Sequence, residues 1–150
     1  MDICHFFLNF AHMNKRYEDI LTQAGIRVTA NRLLVLRTIH EAMHGAFSFL
    51  DMKQKMPYMD ESSVFRTITL FAEKDLLHNI DDGSGMSKYC LHRCANEQEH
   101  RRGHVHITCI KCHETICLED VPIPMVPIPE GYEFREQEYI IKGICPKCRK

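Results

Sequence analysis

Hydrophobic positions recur at helical spacing through the first half of the chain. Tyr17, Ile20, Leu21 and Ala24 fall at i, i+3, i+4 and i+7, which predicts a helix over 14–24. Asn14 can cap its start and Gly25 its end. Thr29 opens a second predicted helix, with Leu33, Leu36 and Ile39 on one side. Ser48 caps a third, whose Phe49, Met52 and Met56 face inward, and Pro57 follows its end. A fourth is expected from about Ser62 to Lys74, with Val64, Ile68 and Phe71 inside and Ser63, Arg66 and Thr67 on the outer face. The pattern then shortens to strands. Leu77–Ile80 and Lys88–His92 flank Asp81-Asp82-Gly83-Ser84-Gly85, a turn-rich loop, so a hairpin is predicted.

Short helices followed by a hairpin predict a winged helix-turn-helix over residues 14–92. Its fourth helix would offer small hydroxyls and an arginine near the N-terminus, where recognition helices meet bases and phosphates. Residues 93–103, RCANEQEHRRG, are polar and charged and read as a linker. Beyond it His104–Thr108 alternates as a strand, with His104 and His106 on one face and Val105 and Ile107 on the other. Thr115–Leu118 and Tyr139–Ile144 are two further expected strands. Between them Pro122, Pro124, Pro127 and Pro129 forbid a helix interior. The fold class is therefore α+β: a winged helix-turn-helix, then a small α/β or mostly β domain over 104–150.

Composition adds little for the whole chain, since a net charge of −1 requires no strongly charged partner. The distribution matters more. Within residues 14–37, Lys15, Arg16, Arg27, Arg32 and Arg37 oppose only Glu18 and Asp19. The apolar stretch 1–13 lacks the basic start and cleavage site of a secretory signal and is too short to span a bilayer, so it reads as an N-terminal extension. A cytoplasmic location is expected, and there CxxC pairs are metal sites before they are disulfides.

Cys109-Ile-Lys-Cys112 and Cys145-Pro-Lys-Cys148 supply four thiolates, the ligand set of a structural, tetrahedral zinc. His104, His106 and Cys117 exceed what one such ion needs, which points to a second metal. Zinc is expected ahead of ferrous iron, because thiolate with imidazole suits zinc and iron prefers carboxylate and open positions. The chain shows neither a nucleophile in a catalytic motif nor a glycine-rich phosphate loop. It does not read as an enzyme, and neither a small-molecule substrate nor a membrane is an expected partner.

GIRVTANR at 25–32, SVFRTITLF at 63–71, the Tyr89-Cys90-Leu91 end of the hairpin, HVHITCIKC at 104–112 and CPKC at 145–148 together resemble the ferric uptake regulator superfamily over about residues 15–148. The resemblance implies a homodimeric, metal-responsive repressor that binds a palindromic double-stranded DNA operator, with residues 104–150 as the dimerisation domain. It assigns structural zinc to Cys109, Cys112, Cys145 and Cys148. It assigns a regulatory site to His78, Cys90, His104, His106 and Cys117, with Glu119 as an alternative to Cys117. Cysteine at position 90, where iron and peroxide sensors carry a carboxylate, is similar to the zinc uptake regulators, so two zinc ions per chain are implied. Lys15, Arg16, Arg27 and Arg32 would hold the DNA backbone; Arg66 would enter the major groove, with Ser62, Ser63 and Thr67 reaching phosphates or base edges. The chain departs from the family pattern at Phe65, where tyrosine is usual, at Ala46 and Phe47, where a histidine is usual, and in its proline-rich 122–129 stretch. The alternatives are an iron- or peroxide-responsive regulator on the same fold, a zinc-stapled thiol redox protein, and a zinc-ribbon interaction module without a DNA role.

Overall fold

The computed structural model describes residues 14–91, 105–118, 121, 123–124, 126–135 and 137–150. The expected extension over 1–13 and linker over 93–103, together with His104 and Glu119, lie outside the described residues. Four helices come first: α1 over 14–23, α2 (Ala30–Ala42), α3 (Phe49–Lys55) and α4 (Glu61–Glu73). Their starts follow local chemistry. The Thr29 hydroxyl accepts from Arg32 N, and Ser48 with Asp51 forms a reciprocal capping box on α3. At α4 the cap is Asp60, whose carboxylate accepts from Ser63 N at 2.8 Å, so the helix begins before the expected Ser62. That same backbone hydrogen bond holds the Asp60 carboxyl below its ordinary range.

The inward faces of these helices make one apolar core. Leu21, Leu36, Met52, Ile68 and Phe71 are fully buried, and Leu77 and Leu91 carry the core into the strands. One expected outer residue is a correction. Thr67 is only 7 % exposed, and its hydroxyl donates to Ser63 O at 2.8 Å. A hydroxyl that bonds the backbone one turn earlier is satisfied locally, so a small polar side chain can face inward.

The hairpin strands are β2 (Leu77–Ile80) and β3 (Lys88–Leu91), and β1 (Phe47–Ser48) pairs antiparallel on the other side of β3. Helices backed by this small sheet, in the order β1-β3-β2, form the winged helix-turn-helix. The second sheet has the order β5-β4-β6, with β4 (Val105–Cys109) central. It pairs antiparallel with β5 (Thr115–Leu118) and parallel with β6 (Tyr139–Gly143). The parallel partner is what delivers the second CxxC, because its register sets Gly143 beside Cys109. No helix occurs among the described residues between 121 and 135, as the prolines require.

The two sheets meet along a polar seam. The Lys88 ammonium bonds the Asp82 carboxylate, the His113 carbonyl and, at 3.1 Å, the Thr115 hydroxyl. Thr115 in turn donates to Asp82 Oδ2 at 2.9 Å and lies 2.9 Å from Thr108 Oγ1. Burial works to raise the Asp82 carboxyl, but the hydrogen bonds from Lys88, Ser84 and Thr115 outweigh it and hold it well below the usual carboxylate range. Beside this cluster the Ala46 N–H donates to Thr115 O at 3.2 Å. Gly45 makes the approach close: its φ is +116°, and a Cβ there would stand 2.9 Å from that same carbonyl oxygen.

Phe71 anchors α4 with no exposed surface. Phe71→Ala should lower unfolding stability by about 3–5 kcal/mol, through lost burial and the cavity left behind. Denaturant titration followed by far-ultraviolet circular dichroism would measure it, and a change below about 1 kcal/mol would contradict the packing described.

Candidate metal centres and nucleic-acid interface

Two cysteine and histidine clusters stand out among the described residues. In the first, the sulfurs of Cys109, Cys112, Cys145 and Cys148 all lie within 4.8 Å of one another. Local backbone geometry assembles them. β4 ends at Cys109, a turn through His113 (φ 59°) closes with His113 N donating to Cys109 O at 2.9 Å, and Ile110 N reaches Gly143 O at 2.8 Å. Cys145 N then donates to Cys109 Sγ at 3.3 Å.

The electrostatics of this cluster are those of crowded, mutually hydrogen-bonded thiols. Backbone N–H groups of Cys145 and Cys112 pull the Cys109 thiol down to about 6. Hydrogen bonding with the Cys145 and Cys112 sulfurs pushes Cys148 up to about 12. Crowded thiols divide in this way because adjacent thiolates repel. A divalent cation between them removes the conflict. The Cys112–Cys145 separation of 3.7 Å matches the edge of about 3.8 Å that zinc–sulfur bonds of about 2.3 Å give in a tetrahedron. The residues present therefore fit a Cys4 zinc site.

The second cluster brings together His78, Cys90 and His106. His78 and Cys90 are directly opposite on β2 and β3; His106 and Cys117 are directly opposite on β4 and β5. Each sheet thus contributes one cross-strand His–Cys pair, and the two pairs face each other. His78 Nε2 lies 3.2 Å from His106 Nε2, and Cys90 Sγ lies 2.6 Å from Cys117 Sγ. Cys90 and His106 are buried, at 4 % and 3 % exposed. The nitrogen spacing is close to the edge of about 3.3 Å expected around tetrahedral zinc from bonds of about 2.0–2.1 Å. The sulfurs stand nearer than two ligands of one ion would, so Cys90 and Cys117 must part to share a metal. Two imidazoles and two thiols suit zinc by donor chemistry.

The sequence-expected DNA residues come from α1, the loop before α2, α2 itself and α4. Lys15, Arg16, Arg27, Ser62 and Arg66 are exposed, while Arg32 and Ser63 are half-buried. Arg32 Nη1 donates to Arg27 O at 2.7 Å, which braces the loop before α2. Arg66 stands clear on α4, with Nη2 3.5 Å from Ser63 Oγ. Thr67 faces the core and is not part of this surface. Phe65, half exposed beside Arg66, packs edge-on against Phe49 with ring centroids 5.6 Å apart. The Lys88–Asp82–Thr115 cluster had no signal in the sequence beyond the alternation that places Lys88 on the same strand face as Cys90.

A winged helix-turn-helix joined to a cysteine-rich sheet, with His–Cys pairs between them, defines a class of metal-binding, DNA-binding-type proteins. The chain belongs to the ferric uptake regulator family, whose model matches residues 23–127. It is 27 % identical over 143 residues to the ferric uptake regulation protein of Campylobacter jejuni, covering 89 % of this chain and 87 % of that one. It is 25 % identical over 142 residues to the Bacillus subtilis protein of the same name, covering 89 % and 92 %. Among solved structures it resembles the ferric uptake regulator of Pseudomonas aeruginosa with manganese, at a TM-score of 0.60 and 18 % identity over 87 % of this chain and 98 % of that one. A zinc uptake regulator complexed with zinc and DNA gives 0.61 and 18 %, over 92 % and 93 %. Family members are metal-responsive transcription regulators rather than enzymes, and they bind DNA and act as dimers. Among the described residues no helix is long and apolar enough to cross a membrane.

Proposed function

We propose that this chain is a zinc-responsive transcriptional repressor that binds its operator as a homodimer. The observation that carries the zinc reading is the meeting of two His–Cys pairs, one from each sheet, in a donor set of nitrogen and sulfur. His104 adds a further imidazole by sequence, two residues before His106. Bound at this site, a metal ion would cross-link the winged helix to the cysteine-rich domain.

The chain's own residues supply the rest. Cys109, Cys112, Cys145 and Cys148 staple a domain that has little apolar core of its own. Ile141, Ile144, Phe134 and Val126 are exposed on that domain, a surface suited to a second copy. A dimer held at one angle presents two α4 helices to half-sites about 34–36 Å apart on B-DNA. Arg66, exposed on α4, would read a base edge, and Lys15, Arg16 and Arg27, also exposed, would meet phosphates. Iron is the second reading. The curated relatives are ferric uptake regulation proteins at 24–27 % identity, and the metal content of the purified protein separates the two.

Metal analysis should give two zinc ions per chain. Cys90→Ser should retain one, stay folded and dimeric, and lose zinc-stimulated operator binding while keeping salt-sensitive, non-specific binding. Unchanged stoichiometry with unchanged zinc dependence would rule out Cys90 as a ligand.

Cys109→Ser should unfold the C-terminal domain and abolish dimerisation, since metal binding there is folding energy. A stable, dimeric, zinc-loaded variant, found by light scattering and metal analysis, would overturn the Cys4 assignment.

Arg66→Ala should weaken operator binding by about 1–3 kcal/mol and relax specificity at one base pair, whereas Arg27→Ala should weaken all sequences and flatten the salt slope by about 1. Fluorescence anisotropy titrations at several salt concentrations distinguish these outcomes. Wild-type affinity in Arg66→Ala would remove α4 as the reading element.

A further inference from the structure

We infer that Lys88 is a positioning residue for the regulatory metal site, a latch that sets the two domains in register before any metal binds there. The inference rests on the reading of His78, Cys90, His106 and Cys117 as that site. Lys88 and Asp82 belong to the hairpin of the winged helix; Thr115 and the His113 carbonyl belong to the cysteine-rich domain. The ion pair is buried, with side-chain exposures of 6 % and 0 %.

The hydrogen bonding closes on itself. An ammonium has three donors, and Lys88 directs them at Asp82, His113 O and Thr115 Oγ1. Thr115 spends its own proton on Asp82 Oδ2, and the other carboxylate oxygen accepts from Ser84 N at 2.9 Å. A satisfied polar network of this kind specifies one geometry, because any displacement of the domains takes the His113 and Thr115 acceptors from the Lys88 ammonium and the Thr115 donor from the Asp82 carboxylate.

Strand alternation links the latch to the metal ligands. Lys88 and Cys90 are two apart on β3, and Thr115 and Cys117 are two apart on β5. Lys88 meets Thr115, and Cys90 meets Cys117. The seam therefore has two rungs, about 7 Å apart by strand rise. Fixing the first rung holds the second pair face to face. A site assembled in only a fraction of molecules binds with its affinity reduced by that fraction.

The test uses the full-length protein loaded at the Cys4 site. Zinc affinity at the second site is read by competition with a chromophoric chelator, and seam protection by amide hydrogen exchange at 88–91 and 115–117 without the second zinc. Lys88→Met should retain the structural zinc, bind the second zinc about tenfold or more weakly, and lose protection at the seam. Because Lys88→Met leaves Asp82 buried and unpaired, the double variant Lys88→Met/Asp82→Leu is measured beside it. It should keep the fold and still show both losses. A folded double variant with wild-type second-site affinity and wild-type seam protection would overturn the inference. If wild type binds no second zinc, the metal-site reading fails by itself. The exchange measurement then decides the latch alone: lost seam protection in the folded double variant supports it, and retained protection overturns it.

Discussion

Among its described residues, the C-terminal domain has little to fold around except its sulfurs. The main apolar cluster draws its buried residues from positions 17–91, whereas Val105 and Cys109 are the buried hydrophobic residues described beyond 104. Ile110, Ile116, Ile141 and Ile144 are exposed there instead. A sheet of three short strands without an inner apolar layer is marginal in water. Thiolates gathered from two distant CxxC pairs can supply the missing energy, because an ion that binds only the assembled set stabilises the assembled state. The parallel pairing of β4 with β6 is the consequence: it is the register that brings Cys145 to Cys109.

Local chemistry made much of the winged helix readable. The caps Thr29 and Ser48 stand where the sequence puts them, and the spacing of Val64, Ile68 and Phe71 identifies the buried face of α4. Part of what escaped was set by contacts far apart in sequence. β1 is two residues long and exists because Phe47 and Ser48 pair with Tyr89 and Lys88. Thr67 looks solvent-facing by polarity alone, yet its hydroxyl has a backbone acceptor in the preceding turn. Asp60 and Ser62 are both good caps, and only geometry selects between them.

The candidate metal centres divide in the same way. CxxC spacing alone marks the four sulfurs. His104, His106 and Cys117 already point to a second metal, but His78 and Cys90 needed a family resemblance to be joined to it, since they share no local motif with those residues. The structure adds the pairing rule, one His opposite one Cys on each sheet. Lys88 and Asp82 were not legible at all. In a sequence, a lysine at a strand end and an aspartate in a turn-rich loop look like solvated surface, and burial is a property of what packs over them.

Both charges of the buried pair lie on the hairpin, so what crosses the seam is hydrogen bonds, from Lys88 to His113 O and Thr115 and from Thr115 to Asp82. Such bonds replace bonds to water, so they contribute modest net stability while defining geometry sharply. An apolar seam of equal area would hold the domains whether or not a metal were present. A ligand shifts an equilibrium only by its differential affinity for the two states. If the domains were already fixed beyond about 99 in 100 molecules, metal binding would have almost no population left to move. On the latch reading, the polar seam between Lys88 and Thr115 would set a compromise: enough order to bring two His–Cys pairs face to face, with the remaining population left for a metal to shift.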